Sequence, residues 1–365
     1  MNKTIYTAGG SFNLGCDPEL FFKRDGRVIG AERVVPREGL PNAYREKSVV
    51  IDGVQAELNP GSTMCRQSMA VYIASSLQAI KTRLESSPDF KGIQTAFDGV
   101  VDVDEEELMS LDPASRILGC APSLNYYDEG ASIGVDPASY RTRSAGGHIH
   151  MGISTGDVVR QNGGLKHLVP ILDIIVGNTS VMIDRDSRAA ERRQVYGRAG
   201  EYRLPSHGLE YRTLSNFWLK DYSLMSFIFV SCRLAKAILF TSHLPRGTAE
   251  VGWDAESELY KRVSLESVRE AINTNNIELA KANFDGVKSF VHDFVKGEYY
   301  CGLTASCLPE VEVFLRKIEE NGLDFWFPGD IMENWVNQRF ERGWENFMSN
   351  VIYSVMAKDR EKKAA

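Results

Sequence analysis

In the first 216 residues strand-like segments follow one another without strand–helix alternation, and after Trp218 the pattern is helical almost to the end. A parallel sheet needs a crossover helix between its strands. This order instead predicts an α+β chain on an antiparallel sheet. Gly15 to Lys23 and Arg27 to Val35 flank an Asp-Gly turn and read as a hairpin. Val54 to Leu58 reads as a third strand after Asp52-Gly53. Ser62 is placed to cap a helix running to about Ser86, in which Met69, Ile73, Leu77, Ile80 and Leu84 recur at three- and four-residue steps. Further on, Arg143 to Gly152, Arg192 to Arg203 and Leu209 to Thr213 read as strands, and Leu165 to Met182 as an apolar helix. The acidic run Asp102 to Glu107 reads as a solvated helix start. The expected division is a sheet domain over 1–217 and a mostly helical region over 218–365 packed on it.

Composition narrows the function classes. The formal net charge of −7 argues against a protein whose affinity for nucleic acid comes from a basic surface. The most apolar stretch, Leu224 to Leu239, is interrupted by Ser226, Ser231, Arg233 and Lys236, so no membrane partner is expected. The six cysteines form no CxxC pair, and the first ten residues are too polar for a secretory signal. Reduced thiols in a cytoplasmic protein are the expectation. No P-loop and no Gly-x-Ser-x-Gly elbow is present.

Polar residues are concentrated in five short segments. Side chains two apart in a strand share a face. That rule pairs Asp17 with Glu19, aligns Gln55, Glu57 and Asn59, pairs His148 with His150, and pairs Glu210 with Arg212 while Leu209 and Tyr211 face away. The fifth segment, Arg198 to Pro205, sets Arg198 and Arg203 five apart around a glycine. Singly, each has a bland reading as a turn, a polar strand face or a surface charge. Together they put carboxylates, imidazoles and arginines on one sheet face, where a cation is needed to offset repulsion. Carboxylate oxygens with an occasional His suit Mg²⁺ or Mn²⁺, and arginines match phosphate oxygens. The combination is that of a phosphoryl-transfer site. His207 is placed at its rim as a loop residue.

The five segments, in this order, resemble the catalytic region of glutamine synthetase and, more closely, the phage-encoded carboxylate–amine ligases (amidoligases) of that fold. Asp17-Pro-Glu19-Leu-Phe is similar to the family's Glu-x-Glu-Phe strand, Gln55-Ala-Glu57 to its Gln-x-Glu, and Ser144 to His150 to its Gly-Ser-Gly-x-His-x-His. Arg198 to Pro205 is similar to Arg-Ser-Ala-x-x-Arg-Ile-Pro, and Glu210-Tyr-Arg212 to Glu-x-Arg. The resemblance spans about Gly15 to Asn216. It implies a glutamine-synthetase-like antiparallel sheet or half-barrel flanked by helices. It also implies ATP, Mg²⁺ or Mn²⁺ held by Asp17, Glu19, Glu57, His148 and Glu210, and phosphates met by His150, Arg198, Arg203 and Arg212. The implied reaction makes an acyl phosphate from a small-molecule or peptide carboxylate, and an amine then forms the amide. Asp17 stands where the family has a longer Glu. The family's further acidic ligand has no clear counterpart, because Asp52 lies in the Asp-Gly turn on the wrong parity. Rival expectations are phosphotransfer to a guanidine on the same fold, and a non-catalytic phage protein that keeps the sheet.

Overall fold

The structure, a computed structural model, describes residues 13–117, 123–128, 140–155, 158–161, 163–243, 254–296, 308–321 and 330–337. Among the described residues twelve strands fall in chain order: β1 (Asn13–Cys16), β2 (Glu19–Arg24), β3 (Arg27–Ile29), β4 (Val49–Asp52), β5 (Gln55–Leu58), β6 (Ile93–Ala96), β7 (Val100–Asp102), β8 (Leu124–Asn125), β9 (Thr142–Ser144), β10 (Ile149–Gly152), β11 (Glu201–Arg203) and β12 (Gly208–Tyr211). One sheet has the order β1-β10-β12-β11-β8; a second has β3-β2-β5-β4 with β6 also on β2; β7 and β9 pair apart. Every pairing is antiparallel. The class is α+β, as the order of elements predicts.

The two larger sheets meet where the chain passes from β1 to β2. Pro18 lacks an N–H and cannot continue a ladder. The segment therefore leaves one sheet at Cys16 and joins the other at Glu19. Glu19 N–H donates to Gly146 O at 2.9 Å, and Gly146 N–H returns to Glu19 Oε2 at 2.7 Å. Gly147 permits the close approach on the other side. A Cβ there would lie 2.2 Å from Ser215 O and 2.5 Å from Trp218 Nε1.

The helix read after the third strand runs Arg66–Glu85 and buries Met69, Ile73, Leu77 and Ile80. Burying one such side chain contributes about 1.5–3 kcal/mol, so this stripe holds the helix to the sheet. Its N-cap is Cys65 rather than Ser62. The intervening Thr63 is occupied in a two-way backbone bridge with Leu14 of β1. Other boundaries also differ. Arg27 to Val35 is a strand only to Ile29, followed by a short 3₁₀ turn over Ala31–Arg33. Arg143 to Gly152 divides into β9 and β10 around the two glycines. Arg192 to Arg203 is mostly not strand: Ala189–Val195 is a helix, and β11 begins only at Glu201. Gly197 and Gly200 between them take φ of +70° and +85°, which turns the chain instead of extending it. The apolar segment near residue 170 is helical but changes winding, with a π-type turn over Asp173–Gly177.

The helix Tyr222–His243 packs on Arg66–Glu85, and one continuous apolar core joins β1, β10 and β12 to the helices that follow Trp218. The spans Gly164–Ile183 and Tyr222–Ser242 are long and apolar enough to cross a membrane by length and composition. They are 89% and 83% buried in the protein, as core helices are. Arg233 and Lys236, the charges that interrupt the second span, are themselves largely buried. Among the described residues Cys16, Cys65 and Cys232 are free thiols. The helix breaks read near Pro245, Tyr300 and Pro328 and the basic tail Lys358 to Lys363 lie outside the described residues.

Candidate active site

The site forms at the junction of the two sheets. Asp17 occupies the crossover itself. The second sheet brings Glu19 on β2 directly opposite Glu57 on β5. The first brings His150 on β10 opposite Glu210 on β12, which also faces Arg203 on β11. Like charges placed opposite one another are unfavourable. Glu19 and Glu57 therefore cannot both be ionised cheaply without a cation.

Two triads of ligand-type atoms result, each with its atoms within 4.8 Å of one another: Asp17, His150 and Glu210, and Glu19, Asp52 and Glu57. Asp52 is the acidic residue that parity along the chain disfavoured. The turn at Gly53-Val54 reverses the strand, so Asp52 pairs with Gln55 and lands on the face that carries Glu57. Counting parity through a turn gives the wrong face. Seeing β4 as a separate strand would have found the residue.

Around the first triad, His150 Nε2 meets Asp17 Oδ2 at 2.9 Å and His150 Nδ1 meets His207 Nε2 at 3.1 Å. His207 thus sits at the exposed rim, as read from the sequence. His148 is buried, with Nδ1 3.2 Å from Asp17 Oδ1 and 3.7 Å from Glu210 Oε1. Arg212, fully buried, donates from Nη1 to Glu210 Oε1 at 2.8 Å and from Nη2 to the Tyr196 hydroxyl at 2.7 Å. Tyr196 also bonds to His148 Nε2. Arg203 Nη1 approaches Glu210 Oε2 at 3.7 Å. Arg198 is half-buried, and its backbone N–H, not its guanidinium, is held, by Glu201 Oε1 at 3.1 Å. Leu209 and Tyr211 point the other way into the core, and the Tyr211 hydroxyl donates to the buried Asp173 at 2.7 Å.

The electrostatics follow from crowding. Burial first, and the Asp52 charge second, push Glu19 up to about 8. Burial, then the charges of Asp17, Asp52, Glu19 and Glu210, push Glu57 up to about 9. Burial raises Asp52 also. Asp17 goes the opposite way: burial opposes its ionisation, but the neighbouring imidazoles of His148 and His150 outweigh it and hold the carboxyl well below its usual range. Burial lowers His148, while in His150 the bond to Asp17 outweighs burial and raises it.

The donor set fits a hard divalent cation. It is mostly carboxylate oxygen with imidazole at one end and no thiolate. Asp17 Oδ1 is buried without a hydrogen bond although His148 Nδ1 is 3.2 Å away. Two such atoms off each other's bonding axis suit neighbouring ligands, which in an octahedral Mg²⁺ shell of about 2.1 Å radius lie about 3 Å apart.

Residues 132–281 match the family described as phage phiEco32-like COOH.NH2 ligase-type 2. That segment carries His148, His150, Tyr196, Arg198, Arg203, Glu210 and Arg212, while Asp17, Glu19, Asp52 and Glu57 precede it. The match is to the same kind of family as the resemblance read from the sequence, and takes in three of the five segments, those of His148, Arg198 and Glu210. No curated protein matches the chain. Among solved structures, a bifunctional glutathione synthetase from Pasteurella multocida aligns over 91% of this chain and 52% of its own, with 14% identity and a TM-score of 0.38. The chain thus spans about half the length of that structure, at a likeness too low to define the fold.

Proposed function

We propose that this chain is an ATP-dependent carboxylate–amine ligase, working through an acyl phosphate on a metal-bearing sheet of the glutamine-synthetase kind. The observation that carries the reading is the excess of carboxylate. Asp17, Glu19, Asp52, Glu57 and Glu210 converge against two arginines, Arg203 and Arg212, and two of the five are driven up to about 8 and 9. A fold that holds acids in this condition gains most when divalent cations join them.

In this reading Glu19, Asp52 and Glu57 hold one cation, and Asp17, Glu210 and the paired histidines another. Mg²⁺ held by these residues would supply charge neutralisation for the phosphates. Arg212 is locked between Glu210 and Tyr196. It is a preorganised donor for the transferred phosphoryl group and needs no reorganisation during the reaction. Arg203, less buried, and Arg198 at the turn before it are the candidates for the nucleotide's outer phosphates. The substrate carboxylate attacks the terminal phosphorus of ATP, releasing ADP. The amine then attacks the acyl carbon, releasing phosphate and leaving the amide. His150 and His207 line the way from Asp17 to the exposed rim, where a small-molecule or peptide amine would enter.

Calorimetric titration of a non-hydrolysable ATP analogue, with and without Mg²⁺, into wild type and Glu57→Gln tests this. Mg²⁺-dependent binding in wild type that weakens about tenfold or more in the variant is the expected result. Absence of Mg²⁺-dependent binding by correctly folded wild type would overturn the reading.

A further inference from the structure

The turn that carries Arg198 is held by its backbone at every step. Gly197 N–H donates to Glu201 Oε2 at 3.0 Å, and the Gly197 carbonyl accepts from Arg193 Nη1. Arg198 N–H donates to Glu201 Oε1 at 3.1 Å, and the Arg198 carbonyl accepts from Thr213 Oγ1 at 3.0 Å. Ala199 lies between two asparagines from distant parts of the chain. Its N–H donates to Asn273 Oδ1 at 2.8 Å, and its carbonyl accepts from Asn125 Nδ2 at 2.9 Å. Every backbone donor and acceptor from Gly197 to Ala199 is thus engaged. The Arg198 side chain is in the opposite condition. Among the described residues, no hydrogen bond or ion pair engages its guanidinium.

We propose that Asn273 is a positioning residue for Arg198: from the end of a helix beyond the sheets it fixes the turn from which that arginine meets phosphate. Two planar peptides flank the Arg198 Cα. The first is pinned by Arg193 at its carbonyl and Glu201 at its N–H, the second by Thr213 and Asn273. With both planes pinned, φ and ψ of Arg198 are set, and with them the direction of its Cβ. Asn273 is the one pin contributed from beyond Trp218. It ends the helix Leu265–Asn273, which buries Val268, Ala271 and Ile272 and packs on the helix Ala189–Val195 leading into the turn. Asn275 follows at φ +51°, and Asn276 N–H returns to Ala271 O at 2.9 Å, so the helix end is closed. The Asn273 amide therefore projects from an anchored element. An arginine that leaves a preset backbone loses less freedom on meeting an anion, so more of the contact appears as affinity. This role rests on the phosphate reading of Arg198 in the proposed function. A bond that only satisfied the Ala199 N–H would support the fold and leave anion affinity unchanged.

The test titrates inorganic tripolyphosphate with Mg²⁺ into wild type, Asn273→Ala, Arg198→Ala and the double variant by calorimetry. Wild type should bind. Arg198→Ala should bind about tenfold more weakly, and Asn273→Ala about threefold or more. The double variant should match Arg198→Ala, because Asn273 acts through that side chain. Asn273→Ala binding like wild type, or the two losses multiplying in the double variant, overturns the role. Arg198→Ala binding like wild type also overturns it and leaves the metal-site reading standing. Wild type that fails to bind tripolyphosphate overturns the phosphate reading and this role together. Hydrogen exchange of the Ala199 amide in phosphate-free wild type, followed by NMR, decides the case in which a variant does not fold. A protected amide is expected, and free exchange overturns the preset turn.

Discussion

Asp52 lies directly across a two-residue hairpin from Gln55, and its carboxylate reaches the same small volume as those of Glu19 and Glu57. Gln55 Nε2 in turn lies 3.4 Å from Glu19 Oε2 and donates to Ser144 O at 3.0 Å. The hairpin thus contributes an acid and an amide side by side. Asp52→Asn removes one of the charges that push Glu19 and Glu57 upward. The metal-free variant is expected to unfold at a slightly higher temperature than wild type, by about 0.5–1 kcal/mol of stability. It should lose most of the stabilisation that Mg²⁺ gives wild type. Differential scanning fluorimetry at pH 8 with and without Mg²⁺ checks both signs.

Stability should depend on pH in a direction set by the raised acids. Glu19 and Glu57 titrate near 8 and 9 in the fold against about 4.3 in an unfolded chain. A carboxyl with a raised folded value favours the fold only while protonated there. Their contribution is therefore lost progressively as pH climbs from about 4.3 toward 8 and 9. Metal-free protein should have a lower Tm at pH 9 than at pH 6, and Mg²⁺ should raise Tm more at pH 8.5 than at pH 6.5, because cation and proton compete for the same oxygens. Equal Mg²⁺ increments at both pH values would place the cation elsewhere.

Gly147 is held between Ser215 O and Trp218 Nε1, and its own carbonyl accepts from that indole at 3.0 Å. Gly147→Ala has no flexible neighbour to displace, since the nearest atom is backbone. A loss of about 1–3 kcal/mol measured by urea unfolding is expected. Glycine-to-alanine at Gly26, with nothing within 4 Å, gives a contrast in which only the φ of +78° matters.

Trp335 is buried, donates from its indole to Leu219 O at 2.7 Å, and stands edge-on to Tyr222. It ties the short helix Ile331–Val336 to the start of the long helix Tyr222–His243. Trp335→Ala should cost about 3–5 kcal/mol in urea unfolding. A cost below about 1 kcal/mol would mean that this helix contributes little to the core.

Much of the site was legible because strand alternation is a local rule. Glu210, Arg212, Leu209 and Tyr211 divide between two faces as the sequence implied, since one strand carries all but Arg212, which continues its direction. His148 and His150 both come to Asp17 for the same reason. Tyr196 was hidden because it stands in a turn between a helix and a strand that read together as one strand. Asp52 was hidden because its face depends on a chain reversal. Arg198 was read with Arg203 as a pair, but a positive-φ glycine at 200 separates them, and the backbone of Arg198 is what the fold holds.

By itself the sequence determined the α+β class, the antiparallel sheet, the apolar stripe of Arg66–Glu85 and the residue types gathered for charge-neutralising chemistry, because periodicity and side-chain chemistry are properties of short segments. Only the tertiary structure decided that Pro18 hands one segment from sheet to sheet, that Asp52 joins Glu19 and Glu57, and that Tyr196 bridges His148 to Arg212. Asp52 and Glu19 are 33 positions apart, Tyr196 and His148 48, and Tyr196 and Arg212 16, while Asp52 meets Glu57 across a turn. They are fixed by the packing of sheets and the direction of chain reversals, which no local pattern encodes.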